Sequence, residues 1–287
     1  MAVCNKSINQ VFTQSVINSL IVDRKNSVYD YVVSKYVNEP YTKTNGQVFC
    51  EIYKYLEKNH RNEYYYINTL LNKLLVGIHS VNTTTALSQV RVANHVADFV
   101  MINGEARVYE IKSNLDNFVR LNDQLADYYK AFSKISILVS EKEHDNAIKV
   151  LKKLGSVGDR VGVYVLSENN TIFCKSNSRE PLEFNELLEH KNLFALMRKK
   201  EYEAVIESFF HELPVIAPVF YYRECLKMFS SIPILEAQKL TFMQLKKRNS
   251  ISKSLFDKIP MELKSVVYFS HLIKDIDSIN DFLVRLY

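Results

Sequence analysis

Residues 96–113 read VADFVMINGEARVYEIKS. Two apolar runs alternate at a period of two and are joined by Asn103-Gly104, the dipeptide that most favours a tight turn between antiparallel strands. A chain with this segment is expected to build a sheet around it. Asp98 nevertheless lies in the first run, and Glu110 and Lys112 lie in the second. Burying a charge without a partner is costly, so three charged residues on one hairpin predict a shared site.

Register decides whether they meet. With an odd loop such as Asn103-Gly104-Glu105, Ile102 faces Ala106, Val100 faces Val108 and Asp98 faces Glu110, and all three polar side chains share one face. A two-residue turn would pair Asp98 with Tyr109 and send Glu110 to the other face. The expectation is therefore an odd loop, or a bulge that restores the parity. Two adjacent carboxylates repel unless a cation neutralises them. Mg²⁺ (or Mn²⁺) suits, because a hard cation takes oxygen ligands and retains several waters. A lysine beside it can orient an attacking water and stabilise negative charge growing on a phosphate. Together these groups suffice for phosphodiester hydrolysis.

Composition removes several alternatives. The 287 residues contain only six glycines, where average usage gives about twenty. Neither G-x-G-x-x-G, G-x-x-x-x-G-K-[ST] nor G-x-S-x-G occurs, which excludes the common dinucleotide, phosphate-loop and nucleophile-elbow signatures. The net charge of +5 permits a nucleic-acid partner without demanding one. The longest uncharged apolar stretch, residues 213–222, holds ten residues with two prolines, too short to span a bilayer. No export signal is read at the start, and Cys4, Cys50, Cys174 and Cys225 form no Cys-x-x-Cys pair. The expectation is a cytoplasmic protein with reduced thiols and no membrane association.

Along the chain, residues 90–102, 106–112, 135–140, 161–167 and 171–175 read as strands. Residues 116–132 read as a helix, because Phe118, Leu121, Leu125, Tyr128 and Phe132 recur on one face. A second crossover helix is expected over 143–154, and mainly helical structure over the first sixty residues, for instance 9–22 and 48–58. Beyond about residue 178 the strand signals stop. The fold class is therefore α/β with a mixed central sheet flanked by helices, over residues 1–178 with a helical N-terminal extension, followed by an all-helical domain over 179–287.

Asp98, eleven intervening residues and then Glu110-Ile111-Lys112 resembles the signature of the PD-(D/E)XK nuclease superfamily. Farther on, Gln124 and Tyr128 in RLNDQLADYYKAF resemble the Gln-x-x-x-Tyr element of its RecB-like branch. The longer string EIKSNLDNFVRLNDQLADYYKAF, with NEYYYINTLLNKLL upstream, is similar to an uncharacterised bacterial family, named by a locus tag, that is placed in that superfamily. The resemblance implies a restriction-endonuclease-like core. It also implies a Mg²⁺-dependent endo- or exonuclease in which Asp98, Glu110 and the main-chain carbonyl of Ile111 hold the metal while Lys112, Gln124 and Tyr128 complete the site. An N-terminal helix supplies a further acid in such proteins, which by position is Glu63, with Glu51 second. Ala97 stands where the superfamily's name has proline. A place in phage defence, mobile-element biology or repair follows by analogy alone.

The triplet [DE]-x-K also occurs at Asp23, Glu189 and Glu262, so its weight lies in the hairpin and the Gln/Tyr helix around Glu110. His79, His95 and His144 have no partner histidine at ligand spacing and read as structural or surface residues. The basic runs at 198–200 and 246–248 read as solvated helix faces. The expected partner is nucleic acid, DNA ahead of RNA, together with a homodimer or a protein partner reached through the helical C-terminal domain. The rival readings are a non-cleaving nucleic-acid- or protein-binding module of the same fold, and an accessory subunit of a nuclease or helicase complex.

Overall fold

The structure is a computed structural model. It describes residues 2–287 except 79, 115, 177 and 250, and only the backbone of residues 2–6, 76–78, 271 and 273. The order of elements is α1 (Ala2–Val11), α2 (Gln14–Val22), α3 (Ser27–Tyr36), α4 (Asn45–Asn59), α5 (Glu63–Asn72), β1 (Thr85–Val92), β2 (His95–Asn103), β3 (Glu105–Lys112), α6 (Leu121–Tyr128), β4 (Lys134–Ser140), α7 (His144–Lys153), α8 (Gly155–Gly158), β5 (Gly162–Leu166) and β6 (Ile172–Phe173). Helices follow to the end: α9 (His190–Ala195), α10 (Lys199–Phe210), α11 (Pro218–Ser230), α12 (Ile234–Leu245), α13 (Lys253–Asp257), α14 (Lys264–Phe269) and α15 (Ile276–Val284). No helix among the described residues is long and apolar enough to cross a membrane.

The chain forms two compact units, Met1–Val81 with Ile251–Tyr287, and Asn82–Ser250. In the first, the end of the chain returns to the early helices. Asn45 Nδ2 donates to the Arg285 carbonyl at 3.1 Å, Tyr287 N donates to Lys43 O at 3.0 Å, and Tyr29 stacks on Phe49. Thr44 and Gln47 form a capping box that starts α4, and the Asn62 side chain accepts from Tyr65 N to start α5. The residues read as one helix over 9–22 belong to α1 and α2, with a break around Thr13.

The second unit contains a six-stranded sheet in the order β1-β2-β3-β4-β5-β6. β1, β2 and β3 are antiparallel neighbours, β3, β4 and β5 run parallel, and β6 closes antiparallel to β5. α6 and α7 are the crossovers that parallel neighbours require. One hydrophobic core joins Val100, Val108, Ile137, Val139 and Val163 from the sheet to Tyr128 and Phe132, and to Phe194, Val205, Phe229 and Phe242 beyond residue 178. Phe132 stacks on Phe242 at 5.5 Å, and Gln238 donates to the Ala131 carbonyl at 3.0 Å. Residue 178 therefore marks a change in local composition inside this unit, and α9 to α12 pack into the same core as the sheet.

Three local expectations need correction. The run 90–102 is two strands, because the chain reverses at Ala93 and Asn94 with Ala93 at φ 51°, and β1 begins earlier, at Thr85. The helix expected over 116–132 is regular only over Leu121–Tyr128. Before it, Asp116 Oδ2 accepts from Ser113 N at 2.9 Å and Ser113 Oγ at 2.6 Å, a local bond that competes with helix. The strand expected over 171–175 is only the two residues of β6.

Candidate active site

The β2–β3 hairpin has the odd register. Ile102 lies opposite Ala106, Val100 opposite Val108 and Phe99 opposite Tyr109, with Gly104 at the tip at φ 76°. The same register carried one step farther sets Asp98 across from Glu110. By alternation Asp98, Glu110 and Lys112 share the face that carries Val100 and Val108.

On that face Glu110, Lys112 and Gln124 are 2 %, 7 % and 9 % exposed, so each needs polar partners. Lys112 Nζ donates to Glu110 Oε1 at 2.8 Å and to Gln124 Oε1 at 2.9 Å. Gln124 Nε2 donates to the same Glu110 oxygen at 2.5 Å. The Tyr128 hydroxyl lies 2.7 Å from both Glu110 Oε2 and the Val96 carbonyl and shares its proton between them. Burial first, and then the Glu110 and Asp98 carboxylates, push this phenol far above its ordinary range, which keeps it a donor. Gln124 and Tyr128, one turn apart on α6, thus reach Glu110 together.

Asp98 is half-buried, and its Oδ2 accepts the main-chain N–H of Ile111 at 2.8 Å. The N–H and C=O of a strand residue point to the same side, so the Ile111 carbonyl faces the Asp98 edge as well. Across β1, Ser88 pairs with Phe99 and Val90 with Ala97, and between them Gln89 is in the left-handed region at φ 52°. This local kink lies opposite Asp98, where the carboxylate rather than a β2 carbonyl receives the Ile111 N–H. A non-glycine residue held at positive φ stores strain. No sequence signal marked Gln89.

A second polar group borders the first. Asp127 Oδ2 lies 2.7 Å from His95 Nδ1 and accepts from Asn94 N at 3.1 Å, while Oδ1 accepts from Lys130 Nζ at 2.6 Å. Burial raises the Asp127 carboxyl, but the bonds from Lys130, His95 and Asn94 outweigh it and hold it below its usual range. This group fixes the β1–β2 turn to α6. His95 thus has a carboxylate partner, and His144, wholly buried, has Ser178 Oγ at 2.6 Å from Nε2 and Asp145 Oδ1 at 3.0 Å from Nδ1. His79 lies outside the described residues.

Glu63 is the first residue of α5 in the helical unit, whereas Asp98, Glu110, Lys112, Gln124 and Tyr128 belong to the sheet unit. Glu51, on α4 of the same helical unit, pairs with Lys43 at 2.7 Å. No cluster of three or more His, Cys, Asp or Glu side chains suited to a metal ion occurs among the described residues. The two carboxylates and the Ile111 carbonyl are hard oxygen donors, and Mg²⁺ commonly needs only one or two carboxylates beside its waters. The donor set therefore fits such an ion, provided that Glu110 exchanges some of its present hydrogen bonds.

Fold and cluster together define a mixed α/β protein whose sheet presents carboxylates and a lysine to a carboxamide and a phenol on one crossover helix. The sequence matches the profile of bacteriophage P4 protein cII over residues 57–268, a span that includes this whole cluster, and the chain belongs to that family. It is similar to protein cII of Enterobacteria phage P4, with 30% identity over 93 residues, 32% of this chain and 33% of that protein. The chain thus spans about a third of the length of the curated relative it matches. No solved structure matches it.

Proposed function

We propose that the protein is a metal-dependent nuclease with a restriction-endonuclease-like core of the PD-(D/E)XK type, which hydrolyses phosphodiester bonds of nucleic acid, DNA ahead of RNA. The observation that carries this reading is the contact of Lys112 with Glu110 and Gln124 on the sheet face that also bears Asp98. In the reaction, water adds to phosphorus and one P–O ester bond breaks. The products are a phosphate monoester and a strand ending in a hydroxyl, which takes up the proton.

Asp98, Glu110 and the Ile111 carbonyl would hold Mg²⁺ or Mn²⁺, whose chemistry is to acidify water and neutralise phosphate charge. The Lys112 ammonium orients the water by hydrogen bonding and stabilises the charge that grows on the phosphoryl oxygens. Gln124 and Tyr128 set the positions of Glu110 and Lys112 from α6.

The test is incubation of plasmid, single-stranded DNA and RNA with Mg²⁺ or Mn²⁺, comparing the native chain with Asp98→Ala and Lys112→Ala. Each substitution is expected to lower cleavage by about 10²-fold or more. Cleavage that survives both removes the reading.

One observation favours a second reading, a binding module that does not cut. Both Glu110 oxygens are already satisfied by Lys112, Gln124 and Tyr128 inside the protein. On that reading calorimetry finds no Mn²⁺ binding that Asp98→Ala abolishes, and nucleic acid is retained uncut.

A further inference from the structure

Residues 213–222, ten in a row without a charge, form the corner between α10 and α11, and most of their apolar side chains lie in water. Val215 is 104 % exposed, Val219 80 % and Tyr222 52 %, and Phe209, Ile216 and Phe220 are exposed beside them. The unit cannot absorb this surface by repacking. The opposite side of α11 already packs inward through Cys225 and Phe229, and Phe194 stacks on Tyr202 beneath it. A contiguous exposed apolar patch of this kind marks an interaction surface.

The charges around it indicate what covers it. Residues 198–230 hold five basic and five acidic side chains. Several are paired within the rim, Lys227 with Glu224 at 3.0 Å and Lys199 with Glu203 at 3.9 Å, while the Arg223 guanidinium lies 5.2 Å from the Phe220 ring centre. A polyanion would meet no excess of cations here, and an anionic lipid surface would not either. An apolar centre with a rim of both signs can complement itself in a two-fold contact, for which the exposed Lys200 and Arg223 supply cations and the exposed Glu207 and Glu212 supply acids. We infer that this corner is the interface through which a second copy of the chain binds, in an isologous dimer.

Sedimentation equilibrium of the full chain tests this across roughly a hundredfold concentration range reaching about 100 μM. The native protein is expected to rise from 33.4 kDa to twice that mass. Val219→Glu and Val215→Glu place a like charge on both sides of the contact and should weaken the dimer about tenfold or more. Because both positions are exposed, the melting temperature at dilutions where the native chain is monomeric should not change. Val22→Glu, at an exposed apolar residue of the other unit, should leave the dimer intact. A native chain that stays at 33.4 kDa throughout overturns the inference. So does a dimer that survives both corner substitutions, or one that Val22→Glu disrupts equally.

Discussion

Glu110 and Lys112 stand two residues apart on β3, and their charged ends meet at 2.8 Å beneath α6, almost sealed from solvent. Such a pair gains little over an apolar replacement, yet removing one partner strands the other.

Lys112→Met is therefore expected to destabilise the protein by about 3–5 kcal/mol, since it leaves the Glu110 charge buried with only neutral donors. Glu110→Met with Lys112→Met together should recover most of that loss. Urea denaturation of the two single variants and the double variant gives the coupling. Additive losses would mean that the pair does not act as a unit.

Gln89 supplies a backbone test. At φ 52° glycine is at ease and a β-branched residue is strained, so Gln89→Val should cost about 1–2 kcal/mol more than Gln89→Gly. If the kink aims Asp98, Gln89→Val should also speed hydrogen exchange of the Ile111 amide, whose proton the carboxylate holds. Unchanged exchange with lowered stability would separate the kink from the site.

Two glycines should respond for different reasons. A Cβ on Gly162 would lie 2.7 Å from Pro181 Cδ and 2.8 Å from Ser136 Oγ, so Gly162→Ala should cost about 1–3 kcal/mol through overpacking. Gly104 has open space but sits at φ 76°. There Ala should cost about 1 kcal/mol and Asn less, because Asn tolerates the left-handed region. Thermal melts of the three variants distinguish the mechanisms.

Alkali should unfold the protein through its tyrosines. Burial raises the phenols of Tyr29, Tyr65, Tyr128 and Tyr129 above their ordinary range. Above about pH 10 the unfolded chain releases protons that the folded chain keeps, so stability is full below that pH and falls as the pH rises through it. With 18 Tyr and no Trp, tyrosinate absorbance reports this cleanly. A group of tyrosines should titrate only as helical circular dichroism is lost. Smooth titration of all of them in a folded chain would contradict the expectation.

The hairpin register was legible because Asp98, Glu110 and Lys112 demand a common face and only one loop parity provides it. Gln124 and Tyr128 were legible through the resemblance to the Gln-x-x-x-Tyr element, and their spacing of one turn on α6 brings both to Glu110. The turn at Ala93 and Asn94 was not, since it lacks glycine or proline and runs through residues of strand character. Asp127 and His95 were equally hidden: their partnership depends on α6 crossing the start of β2, which neither local segment encodes. The allegiance of α9 to α12 was hidden for a related reason. An apolar helix face shows that a core exists without naming it, and here Phe194, Phe229 and Phe242 join the core of the sheet.

The tip at Gly104 carries a hereditary consequence. Loss or gain of a single codon there would leave composition, hydropathy and the resemblance to P4 protein cII almost untouched, yet rotate half of the hairpin's side chains to the wrong surface. In descendants of this gene, mutations that preserve reading frame but alter the length of that tip by one should accompany decay of the acidic and basic residues downstream. Changes by two should be tolerated beside an intact set.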